Sequence, residues 1–317
     1  MNPHVSKPAR IKRDISGVLL LDKPSRVSSN QALQIVKRIF GGRKAGHTGT
    51  LDPMATGLLP ICFGQATKFS SALLGADKTY EATLRLGYYS TTGDAEGEIS
   101  VAGGVAPRNL KLTLPQVETV LQDFAGVIMQ VPPMYSALKH RGKPMYVYAR
   151  EGVQIERQPR EAVIHDLYVE ALESDEMRIR VRCGSGTYIR TLAEDIGKAL
   201  GCGGAYLTAL RRTILGRFGL SQAYTLHALE AMPVPPRDSL LLPVDSLVRD
   251  LPAATLEASA AASVQQGRRV GYLADESFAD GQTIRLYDQE NRFLGLGEIT
   301  AEGGISPKRL IGTEQMP

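Results

Sequence analysis

The sequence predicts an α+β fold, with a larger body of strands joined irregularly to helices and a small β-rich module at its C-terminal end. Three observations support this prediction. Apolar runs with a period of two are interspersed with helical patterns over residues 16–240, a proline-rich stretch follows at 231–239, and residues 283–300 return to two strands around a polar turn. Strands and helices without a regular βαβ order favour a mixed, mainly antiparallel sheet over a doubly wound one.

The first elements follow from local patterns. GVLLLDKP (17–24) is a short apolar run that Pro24 ends, which predicts a strand. Ser28 or Ser29 is suited to cap the following helix. The apolar positions of that helix share one face and are Leu33, Val36, Ile39 and Phe40.

The middle of the chain predicts further helices and strands. QATKFSSALL (65–74) and LPQVETVLQDFAG (114–126) have helical patterns, whereas TYEATLRLGY (79–88) alternates as a strand. MRIRVRCG (177–184) alternates apolar residues with arginines, so it predicts a strand with one buried and one basic face. A helix then begins near Tyr188 and ends at a glycine.

The chain of 317 residues is long enough for two domains. Residues 1–15 are polar and predict a flexible N-terminus, and residues 16–240 form the larger body. AMPVPPRDS (231–239) predicts a linker. Residues 251–314, with an Ala-rich helix and two strands, form the C-terminal module.

The net charge of +4 does not by itself indicate a nucleic-acid partner. Four local basic clusters could form a phosphate-binding surface if they converge in space. They are KPARIKR (7–13), KHRGK (139–143), RIRVR (178–182) and RRTILGR (211–217). Three widely spaced cysteines indicate free thiols, and neither a zinc-ligand pair nor an apolar leader is found, so we expect a cytoplasmic protein without metal or membrane segment.

The loop GHTGTLDPMATG (46–57) is the strongest candidate for a site of chemistry. Pro53 biases Asp52 toward an extended backbone, and glycines on both sides leave room beside its carboxylate. A carboxylate held in this way can act as a nucleophile or a base. An ordinary turn aspartate is the alternative, as are a turn or core role for His47 and core filling for Tyr80.

Arg190 falls in the first turn of its predicted helix, where the helix dipole disfavours a cation. Either it is a tolerated surface arginine or it meets an anion, for which Asp52 is one candidate. Such a pair would keep the carboxylate ionised, because burial alone raises the pKa of an aspartate. Nucleotide-binding loops are excluded, since His47 stands where a phosphate loop needs lysine and GSGTYI (184–189) lacks the dinucleotide spacing.

Five segments together resemble the TruB family of pseudouridine synthases, and the likeness covers most of the chain. They are GHTGTLDPMATGLLPICFGQATKF, KTYEATLRLG, TTGDAEGE, PPMYSALKHRGKPMYVYAREG and GTYIRTLAEDIGKALGCGGAYLTALRRT. The resemblance implies a pseudouridine-synthase-like sheet flanked by helices and a PUA-like RNA-binding domain over 251–314. It further implies an RNA-clamping, thumb-like segment at 131–152.

The resemblance also assigns roles to individual residues. Asp52 matches the catalytic aspartate, Tyr80 the tyrosine that stacks on the target base, and Arg190 the arginine paired with the carboxylate. His47 matches the histidine that helps to extrude the uridine. The remaining implied contacts are Tyr188 and Leu210 to the target nucleotide, and Lys139, Arg141 and Lys143 to the RNA backbone.

The implied activity is isomerisation of the uridine at position 55, in the T-arm loop of tRNA. The base is flipped out, its bond from C1′ to N1 breaks, and C5 attaches in place of N1. The reaction is redox-neutral and needs no cofactor or metal, in keeping with the motifs that are missing. Asp52 could add to C1′, add to C6 of the base, or remove the proton from C2′.

Two other hypotheses remain open at this stage. The chain could be an RNA-binding or tRNA-folding protein without catalysis, or a relative that works inside a guide-RNA particle. The long thumb-like segment and TTGDAEGE favour a stand-alone enzyme, a monomer without an obligatory protein partner, whose partner is the T arm of tRNA.

Overall fold

The computed structural model describes residues 12–103, 112–271 and 278–312. Most of the predicted flexible segment 1–15, namely residues 1–11, lies outside this range, as do residues 272–277, 313 and 314 of the predicted C-terminal module. The helices in the described part are α1 (Ser29–Phe40), α2 (Leu114–Gln122), α3 (Met145–Arg150), α4 (Ile189–Ala199), α5 (Leu226–Ala231), α6 (Val234–Asp238) and α7 (Ala258–Gln265).

One large sheet organises residues up to 225. Its strands are β1 (Gly17–Lys23), β2 (Ala45–His47), β3 (Thr56–Phe63), β4 (Lys78–Leu86), β7 (Gly126–Gln130), β10 (Arg160–Glu173), β11 (Glu176–Cys183), β12 (Ala205–Leu215), β13 (Phe218–Gly219) and β14 (Tyr224–Thr225). Two small hairpins lie beside it: β5 (Tyr88–Ser90) with β6 (Ile99–Val101), and β8 (Lys139–His140) with β9 (Lys143–Pro144).

The sheet is mixed and mainly antiparallel, as predicted. Its order is β14-β1-β3-β12-β4-β11-β10-β7, with β2 paired to β3 and β13 to β12. Only the pairs β1–β14 and β3–β12 are parallel among its described ladders. β12 lies between β3 and β4 in the sheet. β3 follows one loop of the candidate site, and β4 precedes another.

Helix α1 forms where the sequence predicts it. Ser28 accepts a hydrogen bond from the Gln31 amide, and the Gln31 side chain accepts one from the Ser28 amide, which completes a capping box. Gly41 ends the helix with a φ of 65°, a conformation that glycine adopts without strain. The buried face of α1 packs with α2, α4 and one face of the sheet in a single apolar core.

The C-terminal module is a five-stranded sheet in the order β15-β17-β18-β19-β16. Its strands are β15 (Ala253–Thr255), β16 (Val270–Gly271), β17 (Thr283–Tyr287), β18 (Phe293–Ile299) and β19 (Gly304–Leu310). The predicted pair of strands in 283–300 is confirmed as β17 and β18. A second apolar cluster joins the module to the body, where Phe293 packs edge-on against Phe69 with ring centroids 5.4 Å apart.

Two local predictions are wrong. Residues 65–74 form two short 3₁₀ helices, Gly64–Lys68 and Ser70–Leu73, instead of one helix. The predicted linker 231–239 contains α6 and is packed, because the buried Arg237 donates to the carbonyl of Ile39 at 2.6 Å and lies over the ring of Phe40. Asp238, in the same stretch, forms an ion pair with Arg13, which precedes β1.

Candidate active site

A cleft of about 990 Å³ lies beside β4 and β12. Five further parts of the chain line it: 28–30, 47–53, 92–96, 135–150 and 184–190. All five residues that the resemblance places in contact with the nucleotide or its chemistry line this one cleft, as does Arg190. They are His47, Asp52, Tyr80, Tyr188 and Leu210.

The loop that carries Asp52 is held by buried side chains from β1 and α1. Lys23 is fully buried and its Nζ donates to the carbonyl of Pro53 at 3.2 Å and to that of Val27 at 2.6 Å. Burial lowers the pKa of Lys23 to about 8. The Ser29 hydroxyl both donates to the Leu51 carbonyl and accepts from the Leu51 amide, each at 2.8 Å. Backbone on both sides of Asp52 is therefore fixed.

Asp52 and Arg190 meet in the cleft, as the first-turn position of Arg190 suggested. The Nε of Arg190 lies 3.0 Å from Oδ2 of Asp52. The other guanidinium nitrogens donate to the carbonyls of Thr92 at 2.8 Å and Tyr135 at 2.7 Å. Arg190 is buried, whereas the Asp52 side chain keeps 36% of its exposure, because it faces the open side of the cleft.

Two opposing effects act on the pKa of Asp52. Burial raises it and is the larger effect, while the positive charge of Arg190 lowers it. Asp94 raises it further, and the net pKa lies above the ordinary value. Arg190 thus offsets part of the cost of keeping an ionised carboxylate in this cleft.

Asp94 is a site residue that the sequence analysis missed. It is buried, and its Oδ2 lies 3.8 Å from Nε of Arg190. Its Oδ1 accepts from the Thr92 hydroxyl at 2.6 Å and from the Glu96 amide at 3.0 Å. Asp94 belongs to the segment TTGDAEGE, whose composition is that of an exposed turn. The family resemblance included this segment, but no pattern in it indicated a buried carboxylate.

Two tyrosines, Tyr80 and Tyr188, line the cleft together with Leu210. Tyr80 is half-buried in β4, and burial raises the pKa of its hydroxyl while Arg212 lowers it. Tyr188 caps α4, and its amide and carbonyl both bond the side chain of Gln130. Leu210 is buried in β12. These residues leave flat and apolar walls around a carboxylate.

His47 lies at the end of β2 and is half-buried. Burial lowers the pKa of His47, and the charge of Arg212 lowers it further, so the imidazole favours its neutral form. Its Nδ1 is buried and has no hydrogen-bond partner among the described residues.

The predicted RNA-backbone residues differ in their surroundings. Lys139 and Arg141 are exposed in the β8–β9 hairpin. Lys143 is half-buried, with its Nζ 2.7 Å from Glu151 and over the ring of Tyr148. The same segment contributes Arg150, which lines the cleft and was not predicted.

The described residues of the four basic clusters, which in the cluster 7–13 are residues 12 and 13 alone, do not form one surface. Arg180 and Arg182 pair with Glu170 and Asp166 on the face of the sheet opposite the core that α1 and α4 cover. In 211–217, Arg211 pairs with Asp22 and Arg212 is buried. Arg212 itself lines the cleft, and the cluster 139–143 lies within the segment 135–150 that contributes to the lining.

In the described ranges, no three His, Cys, Asp or Glu side chains are grouped as metal ligands would be. No helix in those ranges has the length and apolar character needed to cross a membrane.

Comparison with known proteins identifies the class. The TruB family pseudouridylate synthase N-terminal domain matches residues 37–189. The tRNA pseudouridylate synthase B C-terminal domain matches 190–249, and the C-terminal domain of pseudouridine synthase II TruB matches 252–311. The chain is 69% identical to tRNA pseudouridine synthase B of Nitrosospira multiformis, covering 96% of this chain and 98% of that protein. It is 51% identical to the protein of that name from Methylobacillus flagellatus, covering 95% and 97%.

Solved structures agree on the fold. The crystal structure of a Cbf5-Nop10-Gar1 complex matches with a TM-score of 0.70 and 26% identity, covering 94% of this chain and 86% of that chain. Sheet, cleft and matches together define a pseudouridine synthase, an enzyme that isomerises uridine within RNA. Within this class the chain belongs to the TruB family.

Proposed function

We propose that this protein converts the uridine at position 55, in the T-arm loop of tRNA, to pseudouridine. The observation that carries the proposal is the pairing of Asp52 with the buried Arg190 at 3.0 Å inside a cleft walled by Tyr80 and Tyr188. Relatives that cover nearly the whole chain are named tRNA pseudouridine synthase B, which supports tRNA as the substrate.

A flipped nucleotide accounts for the shape of the cleft. Extruding a base costs a few kcal/mol, and stacking on an aromatic side chain returns about 1–3 kcal/mol per base. Tyr80 would provide the stacking surface, and Tyr188 and Leu210 would enclose the nucleotide. A neutral His47 could enter the RNA loop at a smaller desolvation cost than an imidazolium.

One carboxylate is sufficient for this isomerisation. The departing uracil is itself the group that returns, so no second carboxylate is needed to activate water, as it is in glycosidases. Asp94 also lines the cleft, but it is buried and accepts hydrogen bonds from the Thr92 hydroxyl and the Glu96 amide, which favours the more exposed Asp52 as the reacting carboxylate. Asp52 acts on the ribose at C1′ or C2′, or on C6 of the base.

The same proposal divides the chain by role. Residues 16–240 carry the catalysis, 131–152 clamp the RNA, and 251–314 bind RNA as a PUA-like domain. We propose that the enzyme works as a cytoplasmic monomer without an obligatory protein partner.

The test is the isolated protein with an unmodified tRNA transcript. We expect pseudouridine at the T-arm position alone, without guide RNA or added protein, because the cleft holds the complete carboxylate–arginine pair. A transcript with cytidine at that position is the matched control and should remain unmodified. Activity that appears only with a guide RNA or a second protein would favour the particle-bound alternative. This alternative is worth testing because the chain shares its fold with a protein solved in the Cbf5-Nop10-Gar1 complex.

Substitutions in the thumb-like segment test the RNA clamp. Lys139→Ala and Arg141→Ala should each weaken tRNA binding and reduce the slope of log affinity against log salt by roughly 0.7–0.9, the value for one lost phosphate contact. Lys143→Ala should change the slope less, because its ammonium already contacts Glu151 at 2.7 Å. Binding titrations at several salt concentrations measure these slopes, with Arg178→Ala as an exposed control from β11. Equal slopes for all four variants would contradict the assignment.

A further inference from the structure

Arg212 is a buried cation that the proposed chemistry leaves without a role. It lies in β12 and keeps 1% of its exposure, yet its side chain lines the cleft. Among the described residues, no carboxylate oxygen lies within 4.0 Å of its guanidinium. A buried charge is costly unless hydrogen bonds replace its water, so the groups that Arg212 contacts show what it holds.

The donors of Arg212 reach both sides of the Asp52 loop. Nη2 donates to the carbonyl of Gly49 at 2.9 Å, in the loop that carries Asp52. Nε donates to the carbonyl of Leu58 at 2.8 Å, where that loop has entered β3. In the neighbouring strand β4, Tyr80 lies directly across the ladder from Arg212 and lines the same cleft, and the positive charge of Arg212 lowers the pKa of its hydroxyl. One rigid, planar group therefore holds both sides of the loop beside the tyrosine.

The backbone fixes Arg212 at this place. It pairs with Tyr80 in the antiparallel ladder and with Gly57 in the parallel one. Gly57 has a φ of 100°, and a Cβ there would lie 2.3 Å from the carbonyl oxygen of Arg212. A register shift follows Arg212 before Ile214, and such irregularities redirect side chains next to active sites.

Arg237 provides a comparison within the same chain. It is also buried, also donates to backbone carbonyls, those of Ile39 and Met232, and also lacks a carboxylate within 4.0 Å among the described residues. It does not line the cleft. Burial without a partner carboxylate is thus compatible with a purely structural role. What distinguishes Arg212 is that its two acceptors flank the Asp52 loop and that it lies across the ladder from Tyr80.

We propose that Arg212 is a positioning residue of the reaction: it holds the Asp52 loop in place beside Tyr80, its neighbour across the ladder, so that the carboxylate and the aromatic ring meet the same nucleotide. This inference rests on the proposed function. Misplacement of reacting groups by about 1 Å can cost about a hundredfold in rate. We therefore expect Arg212 to affect the chemical step and not the affinity for tRNA.

The test compares Arg212→Met and Arg212→Lys with the wild type under single turnover at saturating tRNA. We expect Arg212→Met to lose about a hundredfold in rate with unchanged tRNA affinity. Arg212→Lys should be intermediate, because an ammonium cannot reach both carbonyls in the fixed geometry of a guanidinium. Arg237→Lys is the matched control and should keep the wild-type rate, even where thermal unfolding shows a loss of stability.

A second readout separates positioning from general stabilisation. The Tyr80 signal in a protein labelled at the tyrosine ring carbon next to oxygen is assigned by its loss in Tyr80→Phe, and its pH titration is followed by NMR. Because Arg212 lowers the pKa of Tyr80, Arg212→Met should raise it, whereas Arg237→Lys should leave it unchanged. If Arg212→Met does not fold, Arg212→Lys is used for both measurements. Gly49→Ala, whose Cβ would lie 3.3 Å from Nη1, perturbs the same contact from the loop should both arginine variants fail to fold.

The outcomes distinguish this inference from the proposed function. A wild-type rate in Arg212→Lys or Gly49→Ala, with Asp52→Asn inactive, would overturn the positioning role alone. A rate loss matched by Arg237→Lys, or an unchanged Tyr80 titration, would overturn it too. Wild-type rates in both the Arg212 and Asp52 variants would overturn the assignment of the site, whereas a wild-type protein that forms no pseudouridine in the tRNA transcript would overturn the proposed function itself.

Discussion

Asp52→Asn should abolish pseudouridine formation while tRNA remains bound. The substitution keeps the size of the side chain and removes its charge and basicity, so the group can neither attack nor take a proton. We expect the single-turnover rate to fall by at least about a thousandfold, in the range found when a nucleophile or base is removed from an enzyme. Removing a negative charge beside a polyanion does not weaken binding, so the affinity for tRNA should be kept.

The matched control is Asp175→Asn. Asp175 pairs with Arg85 at 2.9 Å, much as Asp52 pairs with Arg190, but it does not line the cleft. Its variant should form pseudouridine at the wild-type rate. A wild-type rate in Asp52→Asn would refute the site assignment, and loss of both activity and binding would indicate a damaged fold. An active wild type, together with an Asp52→Asn variant that binds tRNA without modifying it, would exclude the alternative of a tRNA-folding protein, because such a protein has no catalysis to lose.

Local patterns are sufficient for much of the framework. The run at 17–24 is a strand and the helix after Ser28 begins where its cap predicts, because both depend on residues close in sequence. The alternation of 177–184 correctly separates a buried from a basic face in β11. Asp52 and Arg190 could be suggested as partners, because a cation in the first turn of a helix needs an anion.

The distribution of charge in space could not be predicted. A basic run has the same appearance in sequence whether its side chains face water or carboxylates from distant segments. Arg211 pairs with Asp22 across 189 positions of sequence, and Arg182 with Asp166 across 16. The clusters could form a phosphate-binding surface only if they converged in space, which the sequence does not show, and several of their arginines pair with carboxylates instead.

Arg212 and Arg237 show a second limit. The alternation of β12 is interrupted by register shifts after Leu207 and Arg212, so a period of two does not identify its buried side chains. Arg237 lies in a proline-rich stretch that has the composition of a linker, yet it packs against Phe40 of α1. In both cases backbone carbonyls, including ones from distant segments, accept hydrogen bonds from the guanidinium, and these acceptors leave no mark in the side-chain pattern.

Arg190→Met should shift the pH dependence of catalysis to higher pH. The reaction needs Asp52 ionised, so the rate rises as the pH passes through the pKa of this carboxylate. Burial raises that pKa and Arg190 lowers it, hence removing the guanidinium must raise it further. The rate of the variant should therefore fall below that of the wild type at pH values under the new midpoint and approach it at higher pH, with solvent screening at the partly exposed Asp52 limiting the loss.

A profile of single-turnover rate against pH measures this shift, since the loss should diminish as the pH is raised. Arg190→Lys keeps a positive charge and should move the midpoint less, although it cannot also bind the carbonyls of Thr92 and Tyr135. Arg85→Met, which breaks the comparable pair with Asp175, should leave the midpoint in place. A loss in Arg190→Met that is equal at every pH would show that the arginine holds the cleft in shape without controlling the ionisation of Asp52. In that case we would infer that Arg190 acts mainly by stabilising the buried Asp94, the second carboxylate within 4.0 Å of its guanidinium.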